Sequence, residues 1–157
     1  MLLLALGLIL TLTRYACSSI QFSRPCQPQF NQSTSASCDV IYGQLTLVLC
    51  RAAITKLPME IGDSLFSRTS ADPRYRLPAY GESGDCVVEV ALSPKQRSEM
   101  GSWPSIRETA EKVVLDCVGQ RGHGGWAVTG QEGKIKVTLH QTGYAGSGKY
   151  WYTPRSE

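Results

Sequence analysis

Cys86-Val-Val-Glu-Val-Ala-Leu92 is the clearest strand in this chain, and the residues from it to Gln141 decide the fold. Cys86, Val88, Val90 and Leu92 fall on one side at the two-residue period of a strand. Val87, Glu89 and Ala91 fall on the other, with Glu89 expected to reach solvent. Ser93-Pro94 ends the run, and Ser98 to Ser102 reads as loop. A helix is predicted from Pro104 to Val118, because Ile106, Ala110, Val113, Val114 and Cys117 make one apolar face. Pro104 suits a first turn, and Ser105-Ile-Arg-Glu108 matches a capping box. Trp103 is placed to pack beneath the start of this helix. After Gly119, Gly122, Gly124 and Gly125 comes a predicted hairpin. Its strands begin at Trp126 and Lys134, and Gly130-Gln-Glu-Gly133 is the turn. Ile135, Val137 and Leu139 are expected inside, and Lys134, Lys136, Thr138 and His140 outside. The unit is strand, helix, strand, strand.

Upstream, Ile41, Leu45, Val48, Leu49, Ala52 and Ala53 recur at helical spacing, which predicts a helix over Asp39 to Leu57 stopped by Pro58. Asp39 is its candidate cap. Leu45-Thr-Leu-Val-Leu49 also alternates like a strand; length and the Ala52-Ala53 pair favour helix. Leu65-Phe66 reads as a short strand or anchor. Arg74 to Pro78 reads as extended chain, and Tyr80 to Asp85 as a turn feeding the Cys86 strand.

The chain has 157 residues, an ordinary length for one domain. Residues 1–18 read as a secretory signal peptide. The apolar run from Leu2 to Leu12 is too short for a span of about twenty residues, and Ala16-Cys17-Ser18 fits a small-x-small cleavage site. No other segment is apolar enough to span a membrane, so a secreted, extracellular protein is expected. Losing Arg14 leaves 15 basic against 13 acidic residues. That near-balance argues against a nucleic-acid partner. Residues 19–37 are rich in Ser, Gln and Pro and predict a flexible arm, with Asn31-Gln32-Ser33 as a candidate glycosylation sequon. Residues 38–141 form the predicted domain and 142–157 a Gly-rich aromatic tail.

Six cysteines behind a leader imply disulfides. Cleavage after Ser18 removes Cys17, so two bridges are expected among Cys38, Cys50, Cys86 and Cys117, with Cys26 left over. With no Cys-x-x-Cys pair and two histidines, neither a metal site nor a cofactor is expected. No catalytic constellation is evident, and the chain is read as a non-enzyme. His123, Trp126, Tyr144, Trp151 and Tyr152 are the candidate binding surface, since exposed aromatic rings suit glycan or protein partners. The tail aromatics either do this or lie back on the sheet.

Cys50-Arg-Ala-Ala-Ile-Thr-Lys-Leu-Pro58, Tyr75-Arg-Leu-Pro78, Cys86, Trp103 to Cys117, and Gly124-Gly125 to Leu139 follow in an order that resembles small secreted fungal proteins. Some of these have the killer-toxin-like fold, a ferredoxin-like α+β sandwich of two helices on one antiparallel sheet, stapled by disulfides. The resemblance covers residues 38–141. It implies an effector-like or toxin-like role, acting on a host or microbial protein or a cell-wall glycan, and it carries no catalytic residues. Within that architecture Cys50 and Cys117 lie on the two helices, in position to bridge them. Cys38 with Cys86 would tie the arm to the sheet. All three pairings of four cysteines stay open. Separately, Val137-Thr-Leu-His140-Gln-Thr-Gly143 resembles the terminal His-Thr-Gly strand of guanyl-specific fungal ribonucleases, in which a His is the acid and a Glu the base. Gln141 interrupts that motif, and the Tyr-Pro-His element is missing.

Overall fold

In chain order the elements are β1 (Ser37–Cys38), a 3-10 turn (Val40–Tyr42), α1 (Leu47–Ile54), β2 (Asp63–Ser67), a second 3-10 turn (Pro73–Tyr75), β3 (Ala79–Ser83), β4 (Cys86–Leu92), β5 (Ser98–Ser102), α2 (Trp103–Val113), β6 (Gly125–Thr129) and β7 (Ile135–Gln141). This computed structural model describes residues 35–144. The class is α+β, with two helices and an antiparallel five-stranded sheet ordered β1-β6-β7-β4-β3. A separate two-stranded ribbon joins β2 to β5. The expected β4–α2–β6–β7 unit is present. β7 lies between β4 and β6, so the crossover through α2 spans one strand.

The core sits between the helices and the sheet face that carries Val88, Val90, Leu92, Ala127, Ile135, Val137 and Leu139. From α2 come Ile106, Ala110 and Val113, and from α1 Cys50, Ala53 and Ile54. Each such aliphatic side chain contributes roughly 1.5–3 kcal/mol by leaving water. Trp103 is 1% exposed, meets Phe66 edge-on at 5.2 Å and donates from Nε1 to the Arg74 carbonyl at 3.1 Å. It packs under the helix start as expected, and its one polar atom is satisfied.

Several local expectations change. The long helix over Asp39 to Leu57 is two pieces. Asp39 accepts from the Ile41 N–H at 3.1 Å and so caps the 3-10 turn, after which Gly43 takes φ +85° and turns the chain. Only Leu47–Ile54 is α-helical. The second helix is capped by Ser102 rather than Ser105: the Ser105 N–H donates to Ser102 Oγ at 3.3 Å. It runs on past Val113 as a wider π-type turn, Val114–Gly119. The predicted turn over Tyr80 to Asp85 is mostly strand. Gly84 at φ +57° and Asp85 make a two-residue hairpin between β3 and β4. The Ser98 to Ser102 loop is β5; its partner β2 contains Leu65 and Phe66, which settles those two as strand.

The four expected cysteines form two disulfides, and the structure selects one of the three open pairings. Cys38 bonds Cys117, and Cys50 bonds Cys86, not Cys50–Cys117 and Cys38–Cys86. The reason is layering. α1 packs over β3 and β4, which sets Cys50 above Cys86. β1 adds to the β6 edge, beside the turn that carries Cys117. Each bond therefore ties a helical segment to the sheet rather than helix to helix.

Candidate functional site

Strand alternation sends a second set of side chains to the sheet face away from the helices. Registers align Ser37, Trp126, Thr138, Glu89 and Tyr80 in one row across all five strands. Beside that row lie His140, Val87 and Glu82 on β7, β4 and β3. The row holds two aromatic and three smaller or acidic hydrogen-bonding residues, and Glu89 within it and His140 beside it are covered. Glu89 is 7% exposed and His140 is 1% exposed. Both were expected in water, because alternation identifies the second face but not what lies against it.

His140 Nδ1 is 2.9 Å from the Gln141 carbonyl oxygen, which only accepts, so Nδ1 carries a proton. Nε2 then points at Glu89 Oε2, 3.6 Å away, and has no hydrogen-bond partner among the described residues. That pairing is attractive when Nε2 is also protonated. The Tyr144 ring lies 5.2 Å from the imidazole and 5.0 Å from the Tyr42 ring. Tyr42 is pushed up to about 12, by burial first and by neighbouring Tyr144 second. Tyr80 is likewise pushed up to about 12, by burial and then by the charges of Glu89 and Glu82. A phenolate beside these carboxylates is thereby disfavoured.

Three of the expected binding residues, His123, Trp126 and Tyr144, are among the described residues. Trp126 lies in the transverse row, with Lys136 Nζ 4.8 Å from its ring centre. Tyr144 covers His140 instead of standing free. His123 is half-buried, pairs with Gln44 in an isolated bridge and leaves Nδ1 without a hydrogen-bond partner among the described residues. Asn31, Trp151 and Tyr152, with Cys17 and Cys26, lie outside the described residues. Among the described residues no group of three or more His, Cys, Asp or Glu is placed to hold a metal ion. No described helix is long and apolar enough to cross a membrane.

A different surface carries exposed apolar side chains. Val40, Ile41, Leu47, Val48 and Leu115 are all exposed, Val48 at 78%. They gather around the Cys38–Cys117 bond. Val40 follows Cys38 by two positions, Leu115 precedes Cys117 by two, and Leu47 lies beside Gly119, 3.8 Å from where a Cβ on that glycine would stand. The Arg51–Glu111 ion pair at 3.4 Å borders this group between α1 and α2. Sequence periodicity assigned Ile41 and Val48 to a buried helix face. The break at Gly43 is what releases them to the surface. No protein-family model matches this chain, and no curated protein or solved structure is detectably similar to it.

Proposed function

We propose that this is a secreted, non-enzymatic protein that acts, in the manner of an effector or toxin, by binding a host or microbial surface target. The observation that carries this reading is the exposed apolar group around Cys38–Cys117, held on a frame that two disulfides brace. Exposed apolar side chains grouped in one place are the mark of a contact surface. Two disulfides also fit an oxidising compartment. The strand order β6-β7-β4-β3 supports the killer-toxin-like reading, because a ferredoxin-like sheet has this order when its chain is counted from the first helix. The test is saturable binding of labelled mature protein to intact host or microbial cells. Val48→Asp with Leu115→Asp is expected to abolish it while the circular dichroism spectrum stays unchanged. A double variant that binds as the wild type does removes the reading. Retention on chitin or glucan, lost in Trp126→Ala, assigns the target to a cell-wall glycan.

A second reading is favoured by one distance. Glu89 and His140, 3.6 Å apart, are the residue types of a base and an acid for RNA cleavage. Their burial stands against it, since a substrate must displace Tyr144 to reach the imidazole. RNA cleavage by the purified protein that disappears in His140→Ala establishes this activity; an inactive wild type ends it.

A further inference from the structure

The described residues hold as many acidic as basic side chains, but the charges are not evenly spread. Arginines that look scattered in sequence converge on Ser67, at one end of the β2–β5 ribbon. Ser67 pairs with Ser98 on one side, which brings in Arg97, and bridges to Arg76 on the other. Arg68 follows Ser67 directly. With paired strands about 5 Å apart, the three backbones lie within about one Debye length of one another. Two of the guanidinium groups are held by main chain. Arg68 donates to the Leu92 and Gln96 carbonyls at 3.2 and 3.4 Å, and Arg76 donates to the Ser70 carbonyl at 2.9 Å. Lys95 projects from the same 93–97 loop with φ +71° and is exposed.

Nearby acids are already engaged. Asp72 holds Arg74 through a bidentate pair, Glu132 holds Lys134, and buried Glu99 accepts the Glu132 N–H at 2.6 Å. None of Arg68, Arg76, Arg97 and Lys95 has a carboxylate partner among the described residues. Like charges held together repel, and a multiply charged anion relieves that repulsion at several donors at once. Guanidinium groups match tetrahedral oxyanions in geometry as well as charge. The nearest aromatic ring, Tyr75, is half-buried, edge-on to Phe66 at 5.6 Å and has Arg74 across it at 5.7 Å. It offers no open platform for a nucleobase, which disfavours single-stranded nucleic acid.

We propose that Arg68, Arg76, Arg97 and Lys95 form a site for clustered phosphate groups, displayed on a lipid headgroup or carried by a free polyphosphate. The site is separate from the apolar surface around Cys38–Cys117, so either stands without the other. The full secreted chain is titrated calorimetrically with inorganic tripolyphosphate. In parallel it is floated with phosphatidylcholine vesicles, with and without phosphatidylinositol 4-phosphate. Arg97 makes no hydrogen bond or ion pair among the described residues, so Arg97→Glu tests charge without unfolding; it is expected to weaken binding about tenfold, with Arg97→Lys retaining most of it. Arg121→Glu, in the loop after α2, is expected to bind as the wild type does. Binding to either probe with that pattern supports the site, and the vesicle arm decides between headgroup and soluble phosphate. No binding to either probe, binding that survives Arg97→Glu, equal loss in Arg121→Glu, or binding confined to single-stranded RNA overturns it.

Discussion

His140 Nε2 stands 3.6 Å from Glu89 Oε2, a diagonal contact across the β4–β7 ladder, on the sheet face that neither helix covers. The two residues are 51 positions apart in sequence, and only strand pairing brings them together. In this pair the carboxylate faces a buried ring nitrogen that has no hydrogen-bond partner among the described residues. Glu89→Ala removes this ionic contact from a buried site and is expected to lower the unfolding free energy by about 2–3 kcal/mol. Glu89→Gln keeps the shape and supplies an N–H donor, and is expected to cost less than about 1 kcal/mol. Urea midpoints at constant m-value measure both. If Glu89→Ala unfolds at the wild-type midpoint, the pair contributes nothing to the fold.

The disulfides close loops of unequal length. Cys38 and Cys117 are 79 positions apart, and Cys50 and Cys86 are 36 apart. In the chain-entropy view each removes about 4 kcal/mol of unfolded-state freedom, the longer loop slightly more. Non-reducing peptide mapping should recover these two linkages and neither Cys50–Cys117 nor Cys38–Cys86. Replacing either pair with alanine is expected to cost about 2–5 kcal/mol in thermal or urea unfolding. Recovery of a Cys50–Cys117 peptide would contradict the layering of α1 over β4.

Gly81 marks where β3 passes beneath α1. A Cβ built there collides with the Ala53 carbonyl oxygen, a backbone atom of the helix that cannot rotate away. Gly81 has no positive φ, so the requirement is for space rather than for backbone conformation. Gly81→Ala is expected to push α1 off the sheet and cost about 2 kcal/mol or more. Gly122→Ala, where φ is +69° and nothing lies within 4 Å, should cost only the left-handed strain of about 1 kcal/mol. Equal melting temperatures for the two variants would mean that the helix moves freely over β3.

Much of this architecture was readable, and what was hidden shares a cause. β7 alternates Ile135, Val137 and Leu139 against Lys136, Thr138 and His140, and β4 is a Val-rich run bounded by Ser93-Pro94, signals that a single strand carries alone. β5, Ser98-Glu-Met-Gly-Ser102, has no such signal. It is a strand because Phe66 and Leu65 of β2 lie alongside, and that pairing spans more than thirty positions. Glu99 reads as a surface charge until the hairpin at Glu132 folds onto it. Cysteine pairing stayed open for the same reason: helical spacing identified the inward face at Cys50 and Cys117, while layer order chose the partners. The His140–Glu89 contact and the arginine convergence at Ser67 also exist only through register. Local periodicity reports faces, not neighbours.

Alkaline titration reads the helix-free face directly. Tyr42 and Tyr80 are both pushed up to about 12 from an ordinary value of 10.0, by burial above all. In each case the folded pKa exceeds the unfolded one, so the neutral phenol is what the fold favours. Their contribution is complete below pH 10, and it is lost as pH rises toward 12, because the unfolded chain ionises first. Stability should therefore fall across that window. Phenolate absorbance should show these two rings ionising well above pH 10. Tyr80→Phe should flatten the loss, because no ionisable phenol then stands beside Glu89 and Glu82. Tyr144→Phe should lower the Tyr42 value, since Tyr144 is the largest cause after burial. A Tyr42 that ionises near pH 10 in the folded protein would mean that the ring is open to water, and that Tyr144 does not lie over Tyr42 and His140.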